Sequence, residues 1–192
     1  HIYAEENECL YSVIHNGETP QIHEEGGITY YIFNGEVAAV ECDTTVTTVK
    51  IPATIEGYPV TSIRDIFKNH TNLQTVEIAA GITEIADGQF SGCSKLTSIK
   101  LPEGLSRIGA SAFLNCEKLI DVTIPNSVKT LGASAFQNCK SLTNIELPES
   151  IKWIEKALFK DCRSLQTVKM SSALTGFGAE SFYYCTSLEN IN

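Results

Sequence analysis

A single leucine column limits what this chain can fold into: Leu73, Leu96, Leu119, Leu142, Leu165 and Leu188 stand 23 residues apart. The rest of the unit keeps step behind it. Three residues on come Val76, Ile99, Val122, Ile145, Val168 and Ile191, and two further on Ile78, Leu101, Ile124, Leu147 and Met170. Ile82, Leu105, Val128, Ile151 and Leu174 follow, then Ile85, Ile108, Leu131, Ile154 and Phe177, then Phe90, Phe113, Phe136, Phe159 and Phe182. Each unit closes on a cysteine: Cys93, Cys116, Cys139, Cys162 and Cys185. Self-similarity of this kind marks a stack of identical supersecondary units.

Within one unit, Leu-x-x-Val/Ile-x-Ile/Leu alternates as a short strand does. Pro102, Pro125 and Pro148, which cannot donate to a ladder, end it. The second apolar pair predicts a return segment. Gly109, Gly132 and Gly178 fall just after it, where unusual dihedrals would favour glycine, and Ala112-Phe113 and Ala135-Phe136 open what reads as one short helical turn. One unit is thus one coil, too small to bury its apolar face alone. The expected fold is a right-handed repeat solenoid, with a parallel β ladder on one face at a spacing of about 4.8 Å and short helical turns on the other.

Upstream, Val46, Val49, Ile51, Val60, Ile63 and Phe67 form a degenerate first coil over 46–72, with Glu56-Gly57-Tyr58-Pro59 inserted and His70 in the cysteine slot. Ile28 to Phe33 and Glu36 to Glu41 flank Asn34-Gly35, the dipeptide that best fits a two-residue hairpin turn. Residues 1–45 therefore read as an N-terminal β cap (hairpin about 28–41) preceded by a leader. Residues 73–192 read as five repeats plus a truncated sixth, stopping at Leu188 to Asn192. The reading expects further repeats or another domain beyond, and an open C-terminal edge through which two copies would associate weakly. The chain opens at His1 rather than at a methionine, so the absence of a signal peptide carries no information about location.

Charge is unevenly placed. The net charge is −9, and residues 1–45 hold nine acids (Glu5, Glu6, Glu8, Glu18, Glu24, Glu25, Glu36, Glu41, Asp43) and no Lys or Arg, leaving 14 acids against 14 bases from Val46 onward. An acidic cap on a neutral body offers no clustered cations for a nucleic acid. It reads as a solvating surface, or else as a recruiter of a basic partner. No apolar run approaches the roughly 18–20 residues of a membrane-spanning helix.

The unit Leu-x-x-Ile-x-Ile/Leu-Pro-x-x-Ile-x-x-Ile-Gly-x-x-Ala-Phe-x-x-Cys resembles the BspA-like class of leucine-rich repeats over roughly 46–192, best in coils 96–118 and 119–141. The stretch Ile51 to Ile63 also resembles the first coil of such proteins. The resemblance implies a right-handed leucine-rich-repeat superhelix. It also implies a secreted or surface-displayed bacterial or protist protein that adheres to host or matrix proteins or to other cells, with no catalytic motif. Leu158, Met170-Ser171 and Asp87 to Gln89 depart from the pattern.

Cysteine-rich sites are not expected. A 23-residue step lines thiols in a row instead of around a metal ion, and parallel Cβ vectors about 4.8 Å apart suit a disulfide poorly. The column therefore reads as buried free thiols acting as small hydrophobes. Cys9 and Cys42 lie outside it and are candidates for pairing within the cap. The four histidines (His1, His15, His23, His70) are confined to the cap and first coil, and no catalytic constellation or cofactor site is recognisable.

Binding is then expected on the outward columns of the sheet face: Thr75, Ser98, Asp121, Asn144 and Thr167, beside Glu77, Lys100, Thr123, Glu146 and Lys169. The face is mixed in sign and lacks aromatic anchors, which predicts weak or multivalent binding, or a merely solvated surface. Trp153 stands where other coils have Glu84, Arg107, Thr130 and Gly176, and Tyr183 and Tyr184 also break their columns. These aromatics are either exposed binding residues or packing over glycine gaps such as Gly176. Two functions remain open: a protein-binding adhesin, or a passive spacer or carbohydrate-binding wall component displaying other domains, with Trp153 as the one platform for a sugar ring.

Overall fold

In the computed structural model, residues 19–191 are described. Cys9, His1, His15 and the acids Glu5, Glu6, Glu8 and Glu18 lie outside them, and with Cys9 the Cys9–Cys42 pairing. Strand β1 (Gln21–Glu25) pairs antiparallel with β2 (Ile28–Phe33), which pairs antiparallel with β3 (Glu36–Cys42). Asn34 and Gly35 turn between β2 and β3 with φ of 51° and 80°, the paired positive values that this two-residue turn requires. Alternate residues Ile28, Tyr30 and Ile32 of β2 and Val37 and Ala39 of β3 are buried. β1 was not foreseen because it has no apolar face: its one hydrophobe, Ile22, is exposed, and backbone pairing holds the strand.

The first coil contributes β4 (Thr48–Ile51), β5 (Thr54–Ile55) and β6 (Tyr58–Ile63). β5 and β6 pair antiparallel around Glu56-Gly57, while β6 runs parallel to β3, so the inserted tetrapeptide joins the N-terminal sheet to the coils. With this first coil included, the chain from β4 onward is a parallel β-solenoid of about seven turns. Sheet-face strands are β7 (Thr75–Ile78), β9 (Ser98–Lys100), β12 (Asn144–Glu146), β14 (Thr167–Lys169) and β16 (Asn190–Ile191). Return strands are β8 (Glu84–Ile85), β10 (Arg107–Ile108), β11 (Thr130–Leu131), β13 (Trp153–Ile154) and β15 (Gly176–Phe177). Partners lie one repeat apart, as in Thr75↔Ser98 and Arg107↔Thr130.

The leucine, isoleucine and phenylalanine columns form one continuous core. Phenylalanine rings from Phe67 to Phe182 stack face over face at 5.1–5.7 Å. Each column thiol donates to a phenylalanine carbonyl of the coil before, as Cys93 Sγ does to Phe67 O at 3.0 Å and Cys139 Sγ to Phe113 O at 3.3 Å. The cysteines thus satisfy one carbonyl per coil as well as filling space. Burial pushes the Cys93 thiol up to about 12 and the Cys116 and Cys139 thiols well above the ordinary range.

Two expectations are corrected. The described residues contain no helix, so the Ala-Phe-x-x-Cys stretch is not a helical turn. Its N–H groups divide instead: Cys116 donates to Phe113 O within the coil, but Ser111, Phe113 and Asn115 donate forward to Ala133, Ala135 and Gln137 of the next coil. Helical bonding cannot propagate, because Ser111 and Asn115 hold φ of 54° and 62°. Those positive values recur one repeat on at Ser134 and Asn138, then at Ala157 and Asp161, then at Glu180 and Tyr184. Gly109, Gly132 and Gly178, in contrast, are not at positive φ; close packing demands them. A Cβ on Gly178 would lie 2.5 Å from Lys156 N, and one on Gly132 2.5 Å from Gly109 C.

The backbone ladders do not run evenly. On the return side N–H groups donate backward, as Ser106 does to Thr83 O and Gly109 to Ile85 O, whereas on the phenylalanine side they donate forward. On the sheet face the ladder consists of β4-β7-β9 and β12-β14-β16, and the coil between them is unpaired. The backbone of Asp121–Ile124 makes no backbone hydrogen bond among the described residues. The return ladder is interrupted at the same place, since β11 does not pair with β13. A seam therefore separates coil 119–141 from coil 142–164. Stacked Phe136 and Phe159 cross it at 5.7 Å, the widest step in the ring stack. The phenylalanine side stays bonded across it, Ser134 N to Lys156 O at 2.9 Å, Phe136 N to Leu158 O at 3.0 Å and Asn138 N to Lys160 O at 2.7 Å, and Thr143 N to Ile120 O at 3.2 Å and the Ser150 hydroxyl on Val128 O also bridge it.

Candidate interaction face

Alternation places every outward column residue at the surface. Ser98, Lys100, Asp121, Thr123, Asn144, Glu146 and Lys169 are exposed, and Thr75, Glu77 and Thr167 are half-buried. The 23-residue register sets like positions side by side, so charges there meet as ladder pairs. Lys100 Nζ lies 2.9 Å and Lys50 Nζ 3.7 Å from the Glu77 carboxylate, and Lys169 is paired with Glu146. Hydrogen bonding from Lys100, then its charge and that of Lys50, holds the Glu77 carboxyl below its ordinary value. Thr75 Oγ1 donates to Thr48 Oγ1 at 3.0 Å. Such exposed pairs contribute little stability; in the first half of the face they set one carboxylate, Glu77, between two lysines.

The second half differs. At the seam a groove of about 490 Å³ opens, lined by Glu103, Thr123, Asn126, Asn144, Glu146 and Lys169 above Val122, Ile124 and Ile145. Glu103 and Asp121 are exposed and form no ion pair among the described residues. One residue before the unpaired stretch, Ile120 is 51% exposed in a slot that Gln74, Thr97, Thr143 and Gln166 fill elsewhere. Sequence reasoning missed Glu103, Asn126 and the groove. An apolar residue in that polar column was the signal that could have found them.

The exposed aromatics do not gather into one site. Trp153 is 48% exposed on the return strand β13 and lies across Gly176, so that a Cβ there would strike its ring. Tyr183 and Tyr184 sit on the phenylalanine side, rings 4.3 Å apart, with Lys160 Nζ 5.3 Å from the Tyr183 centroid. No group of three or more His, Cys, Asp or Glu that could hold a metal occurs among the described residues, and no helix there is long and apolar enough to cross a membrane.

The model for the BspA type leucine rich repeat region matches residues 61–189 in six copies. No curated protein matches the chain. Among solved structures, a leucine-rich repeat protein of T. pallidum is 26% identical with a TM-score of 0.68, covering 88% of this chain and 92% of that one. One from Bacteroides ovatus is 27% identical with a TM-score of 0.71, covering 88% and 52%. A leucine rich cell surface protein from Faecalibacterium prausnitzii, at 22% identity and a TM-score of 0.68 over 91% and 55%, is alike in fold alone. This chain thus spans about half the length of the latter two.

Proposed function

Because the chain belongs to the BspA-type leucine-rich repeat family, we propose that it is a non-enzymatic, surface-displayed or secreted binding module that adheres to host or matrix proteins through its sheet face. The observation that carries this reading is two polar columns, exposed or half-buried along their length, on a continuous core: the groups that would meet a partner are fixed in register while their neighbours are buried. Family membership supports a binding scaffold rather than an enzyme. The N-terminal sheet, joined to the first coil through β3 and β6, serves in this reading as the cap that covers the solenoid's upstream edge.

The test is capture of extracellular-matrix and cell-surface proteins on the immobilised chain. Lys100 and Lys169 are already held by Glu77 and Glu146, so reversing them would juxtapose carboxylates. Ser98→Arg with Asn144→Arg is the cleaner block, with Lys129→Glu on the return side as control. Capture lost only in the arginine variant is the expected result. No captured protein at all would leave the passive spacer as the better account. A carbohydrate-binding wall component is tested by Trp153→Ala, which would abolish glycan-array binding if the exposed indole were the platform.

A further inference from the structure

We infer that Glu155 is a wedge that turns the seam into a flexible joint, so that the solenoid works as two blocks hinged along their phenylalanine side. One column on the return side carries the inference: Ala86, Gly109, Gly132, Glu155 and Gly178. A Cβ on any of the three glycines would run into the backbone of the coil before, at Ala86 and Asp87 for Gly109, at Gly109 and Ala110 for Gly132, and at Glu155 and Lys156 for Gly178. Glycine in this slot is what lets successive backbones approach closely. The return ladder follows the column. It holds at each glycine, where Gly109 N donates to Ile85 O, Gly132 N to Ile108 O and Gly178 N to Ile154 O. It fails at both residues that bear a Cβ: β8 does not pair back to β6, and β13 does not pair back to β11. Among the described residues Lys152 N and Glu155 N make no backbone hydrogen bond, although Thr175 N, one repeat after Lys152, donates to Lys152 O. The register aims the Glu155 Cβ at Gly132 and Ala133, and coil 142–164 stands off at that corner because packed backbone does not give way.

The other two sides of the coil decide what the gap can do. The phenylalanine side is bonded across the seam as it is elsewhere, Phe136 N to Leu158 O at 3.0 Å matching Phe113 N to Ala135 O at 2.8 Å. On the sheet face Asp121–Ile124 pairs with neither neighbouring coil. Two of three sides therefore lack a strand pair at this step while the third is tied, which is the geometry of a hinge. The apolar columns stay buried on both sides of the step, so the joint flexes and does not part. Flexing changes the distance from Thr123 to Asn144, one coil on, and leaves distances within each block fixed. The outward columns thus form two half-faces whose mutual angle adjusts, whatever the face captures.

The experiment compares the intact chain with Glu155→Gly, which removes the wedge, and Glu155→Gln, which removes its charge and keeps its Cβ. Hydrogen exchange at the Lys152 amide should slow by about tenfold in Glu155→Gly, as the bond to Lys129 O forms, and stay at the parent rate in Glu155→Gln. Residual dipolar couplings, fitted separately for residues 48–141 and 142–191, read the joint itself. Two alignment tensors of unequal magnitude are expected for the parent and for Glu155→Gln, converging to one in Glu155→Gly. A single tensor in the parent would overturn the joint. A Lys152 amide indifferent to Glu155→Gly would overturn the wedge, and Glu155→Gln behaving like Glu155→Gly would do the same by assigning the gap to charge.

Discussion

His70 Nε2 donates to the carbonyl of Asp43 at 3.0 Å, and so does for the first coil what Cys93 does for the second through its thiol on Phe67 O. The imidazole is buried in the slot that later coils give to cysteine, and its greater reach suits the N-terminal sheet, where the acceptor belongs to an aspartate that follows β3. His70→Ala should destabilise the fold by about 2–4 kcal/mol through a cavity and an orphaned carbonyl. Urea unfolding followed by circular dichroism would measure it, and a loss below about 0.5 kcal/mol would show that the contact is incidental.

The thiol column makes stability sensitive to alkali. The folded chain holds the Cys93 proton to about pH 12 and the Cys185 proton to about 11, whereas the unfolded chain releases them around the ordinary value of 9.0. Stability is then full below about pH 9 and falls as pH rises across the window from 9 to 12. The loss is on the order of 1 kcal/mol per buried thiol one unit above the unfolded value. Denaturant midpoints at pH 7 and pH 10 test the sign. A thiol reagent should modify the buried Cys93, Cys116, Cys139 and Cys162 only at the rate of unfolding, and the half-buried Cys185 sooner.

Ala157 occupies a left-handed position, φ 54°, that Gly88 fills in an earlier coil. Ala157→Gly should stabilise the protein by about 0.5–1 kcal/mol, the relief of Cβ strain exceeding the entropy that glycine adds to the unfolded chain. A lower thermal midpoint for the variant would contradict this.

Gly132 predicts the opposite response, since its φ is ordinary and its space is occupied. Gly132→Ala should cost about 1–3 kcal/mol, because the added carbon meets the Gly109 backbone of the previous coil rather than a side chain that could swing away. An unchanged midpoint would mean that the coils separate more easily than their packing implies.

In the free protein, the amides of Val122 and Thr123 should exchange faster than those of Val76 and Ile145 by at least about tenfold, although all four residues occupy corresponding stretches of the sheet face. Uniform protection across the four would argue for a continuous ladder.

The apolar columns were legible through Val168 because a fixed period writes the same burial decision in each coil, and a strand at Val76 predicts one at Ile99; in the last coils, where no further coil covers them, Phe177 and Ile191 are exposed instead. What escaped reading was whatever the period does not encode. Backbone dihedrals at Ser111 and Asn115 are set by forward hydrogen bonds to a coil not yet made, so a local pattern looks helical there. The roles of Gly109, Gly132 and Gly178 depend on the distance of the next backbone, which sequence does not state. The outward columns could be placed on one face from alternation alone, but the seam could not. Asp121 is a poor strand residue, yet it differs from Asn144 too little to announce an interrupted ladder.

The opposed donation of the two sides, backward from Ser106 and Gly109 and forward from Phe113 and Asn115, has a bearing on length. In an α-helix every peptide dipole points the same way, and charge accumulates at the ends as residues are added. Here each coil contributes peptide dipoles of both senses along the axis, so they offset one another. A rod built this way gains no electrical polarity as it grows, and evolution can lengthen or shorten it by whole coils without disturbing the charge balance at either tip.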